Sequence, residues 1–200
     1  MRGNHEARPQ DVPDMKAVYD EDVDGEVYMQ EKWPNIRYFK DYGIYYINNY
    51  KVGVIGGAYS VDKWYRLERG FGWFENEQLD TVERTFARAM FKGKNIDLML
   101  THTAPITLEP TDLFLGFIDQ SKVDKTMENF LQRIRDDTKV GVWCFGHYHA
   151  DRIERPYVEQ FFKDTENLQD LMNRWDNYKK TGELDWWLVK SPNFYMEVEK

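Results

Sequence analysis

Two short apolar runs, Ile96-Asp97-Leu98-Met99-Leu100 and Val140 to Phe145, constrain the fold more than any other feature of this chain. Nearly continuous apolar runs of this kind are what strands buried on both faces look like. Around them lie segments with helical spacing. From about Asn76 to Phe91 the spacing brings Leu79, Val82, Phe86 and Met90 to one face. From about Val123 to Asp136 it does the same for Met127, Phe130, Leu131 and Ile134. Strands alternating with helices predict an α/β fold with its strands covered on both faces.

The flanking sequence adds elements of other kinds. Gly43 to Ile47 and Lys51 to Ile55 read as strands joined by Asn48-Asn49-Tyr50, a hairpin. Asp11-Val12-Pro13 predicts a short helix running to about Tyr19. The acidic run Asp20 to Glu26 predicts a solvated loop, since it lacks the ligand spacing of a calcium-binding EF-hand. Leu168, Leu171, Met172, Trp175 and Tyr178 predict a third helix closed by Gly182, and Leu184 to Val189 a last strand. By spacing, Trp175, Tyr178, Trp186 and Trp187 are core residues. One domain spans residues 1–200, with no internal repeat.

All four histidines fall in short motifs. His5 lies in Gly3-Asn4-His5-Glu6, His102 follows the first apolar run, and His147 and His149 follow the second in Gly146-His147-Tyr148-His149. Open α/β sheets bind ligands at the carboxyl ends of their strands. That rule brings His102 and the His147/His149 pair to the same edge. Residues i and i+2 of an extended segment share a side about 7 Å apart. The pair can then reach one metal ion, or one each of two ions about 3.5–4 Å apart.

Asn4 offers a neutral oxygen ligand, and mixed Asn/His ligation suits Mn, Fe or Zn better than Ca or Mg. His5, next to Asn4, is better placed to give up a proton than to share that ion. Glu6 supports the local backbone or a neighbouring charge. Arg2 and Arg8 are candidates for an anionic substrate, with solvated surface arginine the better alternative. The loop Tyr59 to Trp73, carrying Lys63 and Arg66, is either a substrate-contacting flap or a packed surface loop with core aromatics. Thr107 to Phe117 can form a rim.

Composition closes off other classes. The net charge of −8 over 200 residues disfavours a general nucleic-acid binder. There is neither an apolar run of membrane-spanning length nor an apolar segment like a signal peptide near Met1. The one cysteine, Cys144, sits in an apolar run and reads as a buried inert thiol, which makes a reducing cytoplasm the default compartment.

The ordered set Gly3-Asn4-His5-Glu6, His102 after a strand, and Gly146-His147-x-His149 resembles the calcineurin-like metallophosphoesterase superfamily over residues 3 to 149. Arg2-Gly3-Asn4-His5-Glu6 also echoes the protein serine/threonine phosphatase branch. The hairpin, the Gly-Gly-Ala-Tyr loop and the size are more similar to small bacterial or phage members. The resemblance implies a β-sandwich of mixed sheets flanked by helices and a dinuclear centre of Mn, Fe or Zn. It implies that Asn4, His102 and His147 ligate one ion, that His149 ligates the other, and that His5 protonates the leaving oxygen. The implied substrate is a small phosphate ester or a phosphoprotein.

The family pattern begins with Asp-x-His and Gly-Asp motifs, and neither precedes Gly3. Asp11, Asp14, Asp97 and Asp151 lack the context to replace them. The expectation is therefore an N-terminally truncated member, weak or inactive as it stands. The alternative is a noncatalytic fragment that binds a partner or at most one metal. A mononuclear zinc site of three histidines would leave Asn4-His5 without a role.

Overall fold

Asn48 and Asn49 make a tight chain reversal in the sheet. Both take left-handed φ angles, 50° and 68°, which a two-residue hairpin turn needs and asparagine tolerates. They join β4 (Tyr42–Ile47) to β5 (Tyr50–Ile55), paired antiparallel with Ile47 opposite Tyr50. The expected hairpin is therefore present. The computed structural model describes residues 1–155 and 157–183. The last strand expected from Leu184 to Val189, with Trp186 and Trp187, lies outside them.

The two apolar runs become β6 (Asn95–Thr101) and β7 (Lys139–Phe145), added in parallel beside β5. Then β9 (Val158–Gln160) pairs parallel to β7, and β8 (Arg152–Arg155) closes the sheet antiparallel, in the order β4-β5-β6-β7-β9-β8. A second sheet of three strands has the order β1 (Met15–Asp20), β2 (Gly25–Gln30), β3 (Tyr38–Phe39). Four α-helices complete a mixed α/β fold: α1 (Lys63–Arg69), α2 (Thr81–Phe91), α3 (Thr126–Asp137) and α4 (Leu168–Thr181).

Alternation along the strands divides the core in two. Ile55, Met99, Trp143 and Phe145 face Ala87 and Phe91 of α2 and Met127, Phe130, Leu131 and Ile134 of α3. Val52, Val54, Leu98, Val142 and Cys144 face the other way, against Val27 of β2 and Leu171 and Met172 of α4. The large sheet is thus covered on both faces, as its apolar runs predicted. Cys144 is buried and free, and α4 ends at Gly182 in the left-handed conformation, both as expected. Trp175 is partly buried against the second core cluster. Among the described residues no helix is long and apolar enough to cross a membrane.

Two expectations are corrected. The helix expected from Asp11 to Tyr19 is a 3-10 turn, Pro9–Asp11, followed by β1. Asp14 takes φ 63°, which breaks a right-handed helix. Beyond it Val18 pairs with Val27 and packs on the core as a strand residue. The acidic run Asp20 to Glu26 holds the β1–β2 turn, Glu21 to Asp24, and the paired strand ends beside it. In α2 the apolar stripe does not face the core: Val82, Phe86 and Met90 are 61%, 63% and 38% exposed. Ala87 and Phe91 face inward instead. Gly53 makes room there, since a Cβ on it would come within 2.8 Å of the Phe91 ring.

The helix also begins later than the spacing suggested, at Thr81. Asp80 caps it: its carboxylate accepts from Glu83 N–H at 2.8 Å, and the Glu83 carboxylate accepts from Asp80 N–H at 2.8 Å. Asp80→Ala is expected to cost about 1 kcal/mol in urea unfolding; an unchanged midpoint would remove the cap from the stability account.

Candidate metal centre and cleft

The carboxyl ends of β5, β6 and β7 are stitched together. His102 N–H donates to the Ile55 carbonyl at 3.2 Å, and Gly146 N–H donates to the His102 carbonyl at 3.0 Å. The N-terminal segment lies across this edge, with Gly57 N–H donating to the Arg2 carbonyl at 3.1 Å. Gly57 takes φ 84°, and a Cβ there would meet the Glu77 carbonyl oxygen at 2.4 Å, so only glycine fits. Gly3 lies against the His102 imidazole, which a Cβ would meet at 3.2 Å.

Asn4 is buried, and its orientation is fixed by its partners. The amide NH₂ donates to Ser60 Oγ at 2.9 Å, which turns Oδ1 toward His102 Nε2 at 2.8 Å. Ser60 is itself held by the Glu77 carboxylate, which also accepts from Trp73 Nε1 at 3.0 Å. His147 packs edge-on against His102, with ring centroids 5.1 Å apart. The structure therefore brings Asn4, His102 and His147 together.

His147 and His149 are not in an extended segment. Their φ values are 69° and 57°, left-handed and uncommon for residues with a side chain. The side-by-side geometry expected from i, i+2 spacing is thus overturned. His147 turns inward to His102, while the exposed His149 stacks on Phe162 at 4.7 Å between centroids. Gly146 allows a close approach, since a Cβ there would lie 3.2 Å from the Phe161 carbonyl oxygen. The left-handed turns belong to the histidines.

Burial pushes the His102 imidazole well below its ordinary range, with His147 and Arg2 adding to the effect. Burial, with His149 and His5 nearby, pushes His147 down to about 4. Both rings are neutral near pH 7, the form that ligates metals. An amide oxygen and neutral imidazole nitrogens are donors of the kind a divalent transition ion takes; here Asn4 Oδ1 accepts a hydrogen bond from His102 Nε2 at 2.8 Å. Among the described residues no three His, Cys, Asp or Glu side chains form such a group; the third donor here is an amide oxygen.

His5 sits exposed on the rim. Its Nε2 is 3.4 Å from Asp62 Oδ1, and its Nδ1 is 3.4 Å from a guanidinium nitrogen of Arg66. Glu6 accepts from Gly3 N–H at 3.0 Å and so supports the local backbone. Tyr59 to Trp73 is neither an irregular loop nor a packed one: it contains α1, and Trp64, Tyr65 and Phe71 are 71%, 53% and 53% exposed. Lys63 lies over the Trp73 ring at 4.0 Å, outside the cleft lining.

Arg2 and Arg8 are not solvated, and both are buried in ion pairs. Arg2 Nε contacts Asp41 at 2.8 Å and donates from Nη1 to the Glu77 carbonyl at 3.0 Å. Arg8 pairs with Glu83 and, at 3.2 Å, with Asp41. Neither lines the cleft. They anchor the N-terminal segment to the body of the fold.

The histidines open into a cleft of about 620 Å³. The expected rim, Thr107 to Phe117, contributes Glu109, Leu113, Phe114 and Leu115 to it. Sequence reasoning missed Asp62, the Ser60–Glu77 support and Glu128, which reaches the cleft from α3. Nothing in their local sequence marks them, because each is brought to the site by tertiary packing. No protein-family model, curated protein or solved structure matches this chain.

Proposed function

We propose that this chain is a metal-dependent phosphoesterase of the calcineurin-like metallophosphoesterase type. It acts on a small phosphomonoester or phosphodiester, or on a phosphoprotein. One observation carries the reading: Asn4 Oδ1 and His102 Nε2 stand 2.8 Å apart at the strand edge, with the His147 ring beside them. Asn4, His102 and His147 hold one Mn, Fe or Zn ion, and His149 serves a second. The face of the large sheet that packs on Val27 supports the sandwich reading. The buried free Cys144 fits a reducing cytoplasm.

Bound ions supply Lewis acidity for the phosphate oxygens and lower the pKa of a ligated water. The chain's own groups do the rest. Ser60 and Glu77 fix the Asn4 amide so that its oxygen faces the site. His102 and His147, kept neutral, present lone pairs. His5 protonates the departing oxygen, flanked by Asp62 and Arg66 from the α1 segment.

A second reading, a chain that holds at most one ion and catalyses nothing, has one observation in its favour. Among the described residues no trio of His, Cys, Asp or Glu gathers as a metal group. Metal stoichiometry with Mn and Zn, read together with hydrolysis of 4-nitrophenyl phosphate and bis(4-nitrophenyl) phosphate, decides between them. At least one bound ion and weak metal-dependent turnover are expected. One ion or none, with no turnover of either ester, would establish the second reading.

A further inference from the structure

We propose that the cleft holds a second subsite, centred on Glu128, that receives the hydrogen-bonding end of an aromatic leaving group. The inference rests on the phosphoesterase reading and names the substrate class for the same site.

Glu128 is 4% exposed and lines the cleft. Its Oε1 accepts from Thr103 Oγ1 at 2.8 Å, whereas its buried Oε2 has no hydrogen-bond partner among the described residues. A buried oxygen without a partner costs free energy that a ligand donor can recover. The neighbouring polar groups are already engaged. Glu109 pairs with Lys125 at 2.6 Å, and Tyr148 OH contacts Thr103 Oγ1 at 3.0 Å and donates to Glu109 at 3.3 Å. Of these groups only Glu128 has a fully buried side-chain oxygen with no partner among the described residues.

The carboxyl is also suited to a neutral partner. Burial chiefly, with help from Glu109, raises it to about 7 against the pull of its own backbone N–H, of Thr103 and of Lys125. It therefore makes a hydrogen bond without requiring a counter-ion. The walls are apolar: Leu113, Phe114, Leu115, Ile118 and Val123 line the same cleft. Phe114 and Tyr148 stack on each other, 23° from parallel with centroids 6.1 Å apart, and add aromatic surface to these walls. Thr103 follows His102, and Tyr148 lies between His147 and His149, so the subsite adjoins the histidines. A phosphate at the histidines would send an aromatic leaving group along these walls, with its far N–H or O–H on Glu128.

The test uses two kinds of probe on the full chain. In kinetics, kcat/KM for 4-aminophenyl phosphate is expected to exceed that for phenyl phosphate about tenfold, and Glu128→Gln to reduce that ratio. The two leaving phenols have similar acidity, so the ratio reports recognition. In ligand-observed NMR, aniline is compared with anisole; neither carries phosphate, so neither needs a metal. Aniline is expected to saturate at about tenfold lower concentration than anisole. Failure of both esters to turn over overturns the phosphoesterase reading, while aniline binding still decides the subsite. Equal binding of aniline and anisole by the unaltered protein, which needs no folded variant, overturns the subsite.

Discussion

His102→Ala is expected to lower transition-metal affinity by more than about 100-fold and to abolish metal-dependent ester hydrolysis. Loss of a residue that merely supports a ligand costs about 10- to 100-fold in metal affinity, and His102 is proposed as a ligand itself. The variant should remain folded. The lost ring is neutral, so its removal leaves no unpaired buried charge, and Asn4 keeps its bond to Ser60. Ser60→Ala should fall in the smaller range, because it frees the Asn4 amide while leaving every donor atom in place. Metal content by elemental analysis and the urea midpoint separate the possible roles. Unchanged metal content with a large loss of stability would make His102 a core residue whose hydrogen bond is satisfied by Asn4.

The strand ends were legible in the sequence because burial on both faces leaves no polar alternation to confuse the reading. Ile96 to Leu100 and Val140 to Phe145 became β6 and β7, and the motifs after them met at one edge. Elements that depend on context were less legible. The stripe Val82, Phe86, Met90 correctly indicated a helix but not the side that packs, because the small Ala87 and the space over Gly53 set the inward face. Met15–Asp20 has only the short apolar run Ala17-Val18-Tyr19; pairing with β2 makes it a strand, and the left-handed Asp14 stops the helix expected there.

The site shows the same division. Its ligand candidates stood out because histidine is scarce, with four in 200 residues, and each lies in a motif. Their directions did not, because left-handed φ angles at His147 and His149, on either side of Tyr148, send His147 inward and His149 outward. Charged residues carry no comparable mark. Arg2 and Arg8 read as surface side chains, yet Asp41 and Glu83 make their burial tolerable. Glu128 reads as one more helix carboxylate until α3 is docked and its neighbours become Thr103, Glu109 and Tyr148.

Arg174→Met is expected to destabilise the fold by about 3–5 kcal/mol near pH 7. Arg174 on α4 is 1% exposed and pairs with Glu159 of β9, also 1% exposed, and with Glu166 in the segment between them. Methionine fills most of the volume, so the cost comes from leaving Glu159 buried without its cation. Burial pushes the Glu159 carboxyl up and Arg174 pulls it down; removing Arg174 leaves the upward push opposed by nothing of comparable strength. The sign follows from linkage. A carboxyl whose folded pKa lies above its unfolded value, about 4.3, contributes its full stability below that value and loses it as pH rises through the folded pKa. The variant should therefore recover part of its loss near pH 4.5. The double variant Arg174→Met with Glu159→Met should recover most of it at every pH, because well-packed apolar side chains replace a buried ion pair at little cost. Glu166, which is more exposed, can turn to water. Urea unfolding of the two single variants and the double variant at pH 4.5 and pH 7.5 closes the cycle. A loss below about 1 kcal/mol for Arg174→Met at pH 7.5 would show that solvent reaches Glu159 and that this pair does not fix α4 to the sheet.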